Sequence, residues 1–180
     1  MLFNVSLLLR EPIGARREFA IDEEWTPDDA GPVRVLGAVG LLRTDKGVLA
    51  TAVLATELNA TCDRCLCPVR VPLRIEFSEE FFPVIDPFTG WALPEPEEPT
   101  PFRIDEHHLL DLDEAVRQAW LLARPMRILC RESCAGLCPE CGADLNRGPC
   151  RCGQQAFDPR WQALAALRER GIAREDDEEG

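Results

Sequence analysis

The chain has 180 residues, of which 46% are hydrophobic, and its 32 acidic and 20 basic residues give a formal net charge of -12. A chain of this length can bury one sizeable core, or one core and a small satellite that needs another source of stability. No apolar run approaches the roughly 18 residues of a membrane-spanning helix, and the opening stretch lacks the features of a signal peptide. We therefore expect a cytoplasmic protein with no membrane partner.

The negative charge is concentrated in one part of the chain. Residues 75–114 carry one basic and twelve acidic side chains, a net charge of -11, whereas residues 122–170 carry eight basic and five acidic side chains, a net charge of +3. The second stretch contains most of the cysteines. The overall acidity therefore does not exclude a nucleic-acid partner for the cysteine-rich part.

The first third of the chain is predicted to form strands. The opening run MLFNVSLLLREP is typical of a first strand. Residues 33–43 and 48–61 are rich in β-branched and apolar residues and flank a TDKG turn, which predicts an antiparallel hairpin. Residues 69–82 alternate apolar and polar side chains with the period of a half-buried strand. Pro72 within this run favours a sheet edge or a bulge.

The pattern then changes from strands to a loop and a helix. Residues 83–101 hold six prolines, too many for a regular element. They predict either a solvated acidic spacer or a binding segment centred on Trp91. The following run LDLDEAVRQAWLLARP predicts a helix that is capped by Asp111 and stopped by Pro125. A second amphipathic helix is predicted after Asp158.

These elements predict an α+β fold. We expect an antiparallel β domain, either open or barrel-like, over residues 1–82 and an acidic, proline-rich linker over residues 83–108. Residues 109–172 should contain the middle helix, a loop module held together by zinc coordination and a short C-terminal helix. Residues 173–180 should form a disordered acidic tail.

Nine cysteines in a cytoplasmic chain are most economically used as thiolate ligands of a metal, because the cytosol keeps thiols reduced. Eight of them form pairs in the motifs CDRC, CRESC, CPECG and CRC. CPECG is the most specific signal, because its Pro and Gly suit a tight turn whose amides point at sulfur. The eight predicted zinc ligands are Cys62, Cys65, Cys130, Cys134, Cys138, Cys141, Cys150 and Cys152.

The zinc site that contains Cys138 and Cys141 is most simply completed by Cys150 and Cys152, since a turn-rich loop lies between the two pairs. The sequence does not decide which cysteines form a second zinc site. The two remaining pairs can share a second zinc, or the CRESC pair can assist the first site or stay without metal. Cys67 is left over in every such pairing.

The motifs do not favour an enzyme. Sites made of four thiolates are usually structural and leave no open coordination position for a substrate. His107 and His108 do not stand in the pattern that a zinc deaminase requires, and the chain has no phosphate-binding glycine loop or nucleophile elbow. We therefore expect neither catalytic residues nor a small-molecule substrate.

The cysteine pair in ATCDRCL, the acidic middle, the predicted helix, the run CAGLCPECGADLNRGPCRC and the closing FDPRWQALAALRER together resemble the YceD family of bacterial proteins. The resemblance covers roughly residues 30–170. It implies a role in large ribosomal subunit biogenesis, in the accumulation of large-subunit ribosomal RNA. It brings no catalytic residues, and it implies that zinc is an elaboration of the family.

Three hypotheses follow. The first is a non-enzymatic assembly factor that binds large-subunit ribosomal RNA or a basic large-subunit ribosomal protein. Direct RNA binding would use phosphate contacts from arginines that flank the zinc loops. The candidates are Arg124, Arg127, Arg131, Arg147, Arg151 and Arg160. The second is an adaptor whose acidic segment docks on a basic ribosomal protein. The third is a redox sensor whose thiolates lose zinc on oxidation.

Overall fold

The computed structural model describes residues 1–27, 31–95 and 99–152. Within these residues the chain forms seven strands and two helices. In chain order they are β1 (Leu2–Asn4), α1 (Ser6–Arg10), β2 (Arg16–Trp25), β3 (Val33–Arg43), β4 (Val48–Thr61), β5 (Pro68–Pro83), β6 (Arg103–Ile104), β7 (Leu109–Asp111) and α2 (Asp113–Ala123).

The described strands form one sheet in the order β1-β7-β6-β5-β4-β3-β2, which curls strongly into a half-barrel. The sheet is mixed, and the prediction of a purely antiparallel sheet is wrong. Strands β5 and β6 run parallel, with Phe82 opposite Arg103 and Pro83 opposite Ile104. A parallel pair needs a long crossover connection. The proline-rich stretch after β5 provides that connection and returns the chain to the sheet.

The predicted hairpin is confirmed, because β3 and β4 have the predicted limits and pair in antiparallel register. The turn between them requires glycine at position 47. A Cβ atom added to Gly47 would lie 2.0 Å from the carbonyl oxygen of Phe81. Among the described residues, the other edge of β5 pairs with β6 at Phe82 and Pro83 alone, so Pro72 lies on a stretch with no described strand partner at that edge.

Two elements near the N-terminus differ from the prediction. The opening run forms only the short strand β1 and then the helical turn α1, which buries Leu8 and Leu9. Strand β2 was not predicted, because only Ile21 and Trp25 of its ten residues are buried. As the last strand of the described sheet, β2 is exposed along most of its length and shows no clear alternation.

Helix α2 packs against the curled sheet and ends where the cysteine-rich part begins. Trp120 of α2 is fully buried and makes an edge-to-face contact with Trp25, with ring centroids 5.6 Å apart. The helix begins at Asp113 rather than directly after Asp111, whose carboxylate accepts the backbone N–H of Asp113 at 3.0 Å. The helix ends at Ala123, before the predicted stop at proline.

The chain divides into two compact units, the first spanning Met1–Cys134 and the second beginning at Ala135. The predicted C-terminal helix, the predicted acidic tail and Arg160 lie outside the described residues. The predicted domain limits stay predictions. In the part of the chain that is described, no helix has the length and apolar character needed to cross a membrane.

Candidate metal centres

The first cysteine cluster lies in the first unit, where the end of β4 meets the segment that follows α2. Its members are Cys62, Cys65, Cys130 and Cys134, and their four sulfur atoms lie within 4.8 Å of one another. The Sγ atoms of Cys62 and Cys134 are 3.8 Å apart, and those of Cys65 and Cys130 are 3.7 Å apart. Four sulfurs around one zinc ion would lie about 3.8 Å from each other. The cluster can therefore hold a metal ion and is compatible with zinc.

A tight turn presents the first two sulfurs of this cluster. The N–H of Leu66 donates to the carbonyl oxygen of Cys62 at 2.9 Å, and the N–H of Cys62 donates to the carbonyl oxygen of Cys67 at 2.8 Å. Leu66 has a φ of 59°, in the left-handed region. Backbone amides, that of Cys65 first, donate to the Cys62 sulfur and lower the pKa of this thiol to about 6. The turn thus favours a thiolate at Cys62.

The two residues between Cys62 and Cys65 tie this turn to the distant ligands. Asp63 makes two hydrogen bonds with the backbone of Ile128, accepting the N–H at 2.6 Å and donating its own N–H at 2.8 Å. The guanidinium of Arg64 donates to the carbonyl oxygen of Cys134 at 2.6 Å. Neither role was visible in the residue pattern, because charged residues inside a CxxC motif usually face solvent.

The second cluster lies in the second unit. Cys138, Cys141, Cys150 and Cys152 place their four sulfurs within 4.8 Å of one another, and the Sγ atoms of Cys138 and Cys150 are 3.5 Å apart. The cluster can hold a metal ion by the same geometric test. The intervening loop closes through Asn146, whose side chain accepts the N–H of Ala135 at 2.9 Å and donates to Asp144 at 2.7 Å.

The turn of the second cluster repeats that of the first, bond for bond. The N–H of Gly142 donates to the carbonyl oxygen of Cys138 at 2.9 Å, and the N–H of Cys138 donates to the carbonyl oxygen of Ala143 at 2.8 Å. Gly142 has a φ of +70°. The amide of Cys141 is the main cause that lowers the pKa of the Cys138 thiol to about 7.

Four neighbouring thiols cannot all ionise without a compensating cation, because adjacent negative charges repel. The neighbouring thiol of Cys138 raises the pKa of Cys150, and that of Cys141 raises the pKa of Cys152 to about 12. A bound divalent metal ion would lower the pKa of all four thiols, because it stabilises their thiolate forms. The second cluster therefore has the electrostatics of a site that is completed by a cation.

Cys67 lies outside both sets of four sulfurs, and its Sγ is 3.3 Å from that of Cys65. By its place in the turn it corresponds to Ala143 in the second cluster. The first cluster thus has a fifth thiol that the second lacks.

The structure distributes the candidate RNA-binding arginines over both units. In the first unit, Arg124 is half-buried, and Arg127 and Arg131 are exposed. In the second unit, Arg147 and Arg151 are exposed, and Arg147 lies 3.5 Å from the Asp144 carboxylate. The assignment of these arginines to RNA stays a prediction.

These features define a mostly β protein with a helix packed against its curled sheet and two closed four-cysteine clusters. The profile of the family described as "Large ribosomal RNA subunit accumulation protein YceD" matches residues 50–168, which include all nine cysteines. The chain belongs to the YceD family.

One of the curated relatives carries the family's name in its description. An uncharacterised protein of Mycobacterium tuberculosis is 34% identical over 122 residues, covering 68% of this chain and 56% of the relative. The chloroplastic YCED homolog 1 of Arabidopsis thaliana, named for large ribosomal RNA subunit accumulation, is 33% identical over 60 residues, or 33% of this chain and 19% of that protein. The chain thus spans about half the length of the first of these relatives. No solved structure matches the chain.

Proposed function

We propose that this protein is a non-enzymatic factor that supports the accumulation of large-subunit ribosomal RNA, acting in the cytoplasm by binding that RNA or a basic ribosomal protein of the large subunit. The observation that carries the proposal is the family match, which extends from β4 through both cysteine clusters. The matched range therefore contains both clusters.

The proposal assigns one zinc ion to each cluster. Four thiolates in a tetrahedral arrangement suit zinc, and they leave no position open for a substrate. The lack of an open position supports a structural role for both metal ions and accords with a non-enzymatic function. Zinc in the second cluster would supply the folding free energy of a segment that has few apolar side chains to bury.

Direct RNA binding is supported by exposed arginines beside the clusters. Arg127 and Arg131 flank the first cluster, and Arg147 and Arg151 lie in or next to the loop of the second. Guanidinium groups on such surfaces make mostly phosphate contacts, which orient a protein on RNA without reading its sequence.

The acidic segment supports the alternative, an adaptor that docks on a basic ribosomal protein. Residues 75–114 have a net charge of -11, and they include the half-buried Glu79 and the exposed Glu95. Such a charge repels phosphates and attracts a cationic protein surface. In this alternative the effect on ribosomal RNA is indirect.

The test is depletion of the protein in cells, followed by complementation with variants and measurement of the ratio of large-subunit to small-subunit ribosomal RNA. We expect this ratio to fall on depletion. The unchanged chain and Cys67→Ser, the matched control, should restore it, whereas Cys138→Ser/Cys141→Ser should not. An unchanged ratio after depletion would contradict the proposal.

Crosslinking in the same cells separates the two routes. Direct RNA binding predicts discrete crosslinks to large-subunit ribosomal RNA that weaken in Arg127→Glu/Arg131→Glu. The adaptor predicts crosslinks to a basic ribosomal protein that weaken in Glu79→Ser/Glu95→Ser. Each variant serves as the charge-changed control for the other.

A further inference from the structure

The chain after β5 forms a turn over residues 84–93 that is locked by its own hydrogen bonds. The carboxylate of Asp86 accepts the N–H of Phe88 at 2.9 Å and the N–H and hydroxyl of Thr89 at 2.7 and 3.0 Å. The N–H of Asp86 donates to the carbonyl oxygen of Trp91 at 2.8 Å, and the N–H of Gly90 donates back to Asp86 at 2.9 Å. These bonds restrain the backbone at the tip of the turn.

Hydrogen bonds also connect the base of the turn to neighbouring elements. The N–H of Leu93 donates to the carbonyl oxygen of Val84 at 2.9 Å, and the N–H of Val84 donates to that of Ile104 on β6. The guanidinium of Arg10 donates to the carbonyl oxygen of Pro87 at 2.9 Å. The turn is thus fixed to the sheet on one side and to α1 on the other.

This rigid turn presents two large aromatic side chains to solvent. Phe88 is 71% exposed and Trp91 is 78% exposed, whereas Trp25 and Trp120 lie in the core. Exposed tryptophans on preorganised backbone are typical of the residues that dominate binding energy at protein interfaces. The turn contributes little to the core through these rings, so their presentation is best explained by contact with a partner.

The acidic residues near the rings favour a cationic partner, since Arg10, a cation that touches the turn, is engaged in its hydrogen bond to the carbonyl oxygen of Pro87. Residues 84–95 contain Asp86 and Glu95 and no basic residue, and they lie within the stretch 75–114 of net charge -11. Arginine and lysine stack favourably on the face of tryptophan, and carboxylates beside the ring strengthen the attraction for a cation. The same carboxylates repel the phosphates of RNA. A second copy of this chain, with a net charge of -12, is also disfavoured.

We propose that the turn 84–93 is a docking site for an arginine- and lysine-rich protein segment, whose cationic side chains stack on Trp91 and Phe88. This inference rests on the protein-binding branch of the proposed function and supplies its contact surface. The aromatic rings provide the short-range contacts, and the acidic surroundings speed the encounter.

The experiment measures the binding of a fluorescein-labelled peptide of repeated Arg-Gly-Lys units to the full chain by fluorescence anisotropy. We expect Phe88→Ser/Trp91→Ser to weaken binding about tenfold, since two stacked contacts are lost. The matched control is Leu122→Ser/Met126→Ser, which also removes two highly exposed apolar side chains and should bind like the unchanged chain. Hydrogen exchange on the unchanged chain provides a measurement without mutation, and peptide binding should protect residues 84–93.

The inference is overturned if both double variants bind the peptide equally, or if the peptide protects other residues instead. The inference is also overturned if a labelled single-stranded RNA probe binds the unchanged chain but not Phe88→Ser/Trp91→Ser. That result would favour stacking of RNA bases on the two rings. These outcomes depend on binding alone. The proposed function fails separately, if depletion leaves large-subunit ribosomal RNA unchanged.

Discussion

The two cysteine clusters share one turn but differ in what surrounds it. In the first cluster, Asp63 and Arg64 hydrogen-bond the turn to the segment after α2. That segment contributes Cys130 and Cys134, and α2 itself packs on the sheet. In the second, no described residue of 135–152 belongs to the hydrophobic core. The same turn thus lies beside an apolar core in the first unit and without described core residues in the second, where metal binding is the expected source of order.

The strongest test of this difference changes two of the candidate metal ligands of the second cluster. In Cys138→Ser/Cys141→Ser we expect complete loss of hydrogen-exchange protection over residues 135–152, because metal binding in such modules contributes roughly 10 kcal/mol or more to folding. Protection in β3 and β4 should stay, since their core is apolar. Metal analysis and exchange mass spectrometry check both parts, and retained protection over residues 135–152 would contradict the comparison.

The next largest effect should come from the core of the first unit. Trp120→Ala removes a fully buried ring that contacts Trp25. It should lower the free energy of unfolding of this unit by about 3–5 kcal/mol. Denaturant unfolding measures the loss, and hydrogen exchange over residues 135–152 serves as the control, because we expect protection of that segment to depend on metal binding at the second cluster.

The hydrogen bond that connects Arg64 to the first cluster predicts a smaller and local effect. Arg64→Ala removes the hydrogen bond to the carbonyl oxygen of Cys134 and should weaken metal binding at this cluster about tenfold, as loss of a supporting partner typically does. Glu140 occupies the matching position in the second turn and is exposed. Chelator competition should find Glu140→Ala close to the unchanged chain. Equal effects of the two substitutions would show that the Arg64 hydrogen bond contributes nothing specific to metal binding at the first cluster.

The smallest expected effect concerns the residue that closes each turn. Leu66 and Gly142 both adopt positive φ, a conformation that costs a residue with a side chain about 1 kcal/mol. Gly142→Ala should therefore weaken metal binding at the second cluster about fivefold, since open space around the added Cβ leaves only the conformational cost. Leu66→Gly should tighten the first cluster slightly or leave it unchanged. Chelator titrations that give the opposite signs would contradict the shared turn.

The cysteine pairs could be read from the sequence because their spacing is local. CPECG indicates a tight turn through its Gly, whose conformation the structure reports as left-handed. CDRCL makes the same turn with Leu66, so the equivalence of the two turns was not visible in the residue types. Strand β2 was missed for a related reason, because its residues face solvent and leave no apolar period.

By itself, the sequence determined the elements whose order depends on neighbouring residues: the hairpin of β3 and β4, the middle helix, the cysteine pairs and the uneven charge. Only the tertiary structure decided the contacts between distant segments. It made β5 and β6 parallel, brought Cys62 and Cys65 beside Cys130 and Cys134, and set Asp63 against Ile128. Residue patterns report local propensity, whereas these contacts depend on how the curled sheet and α2 pack together.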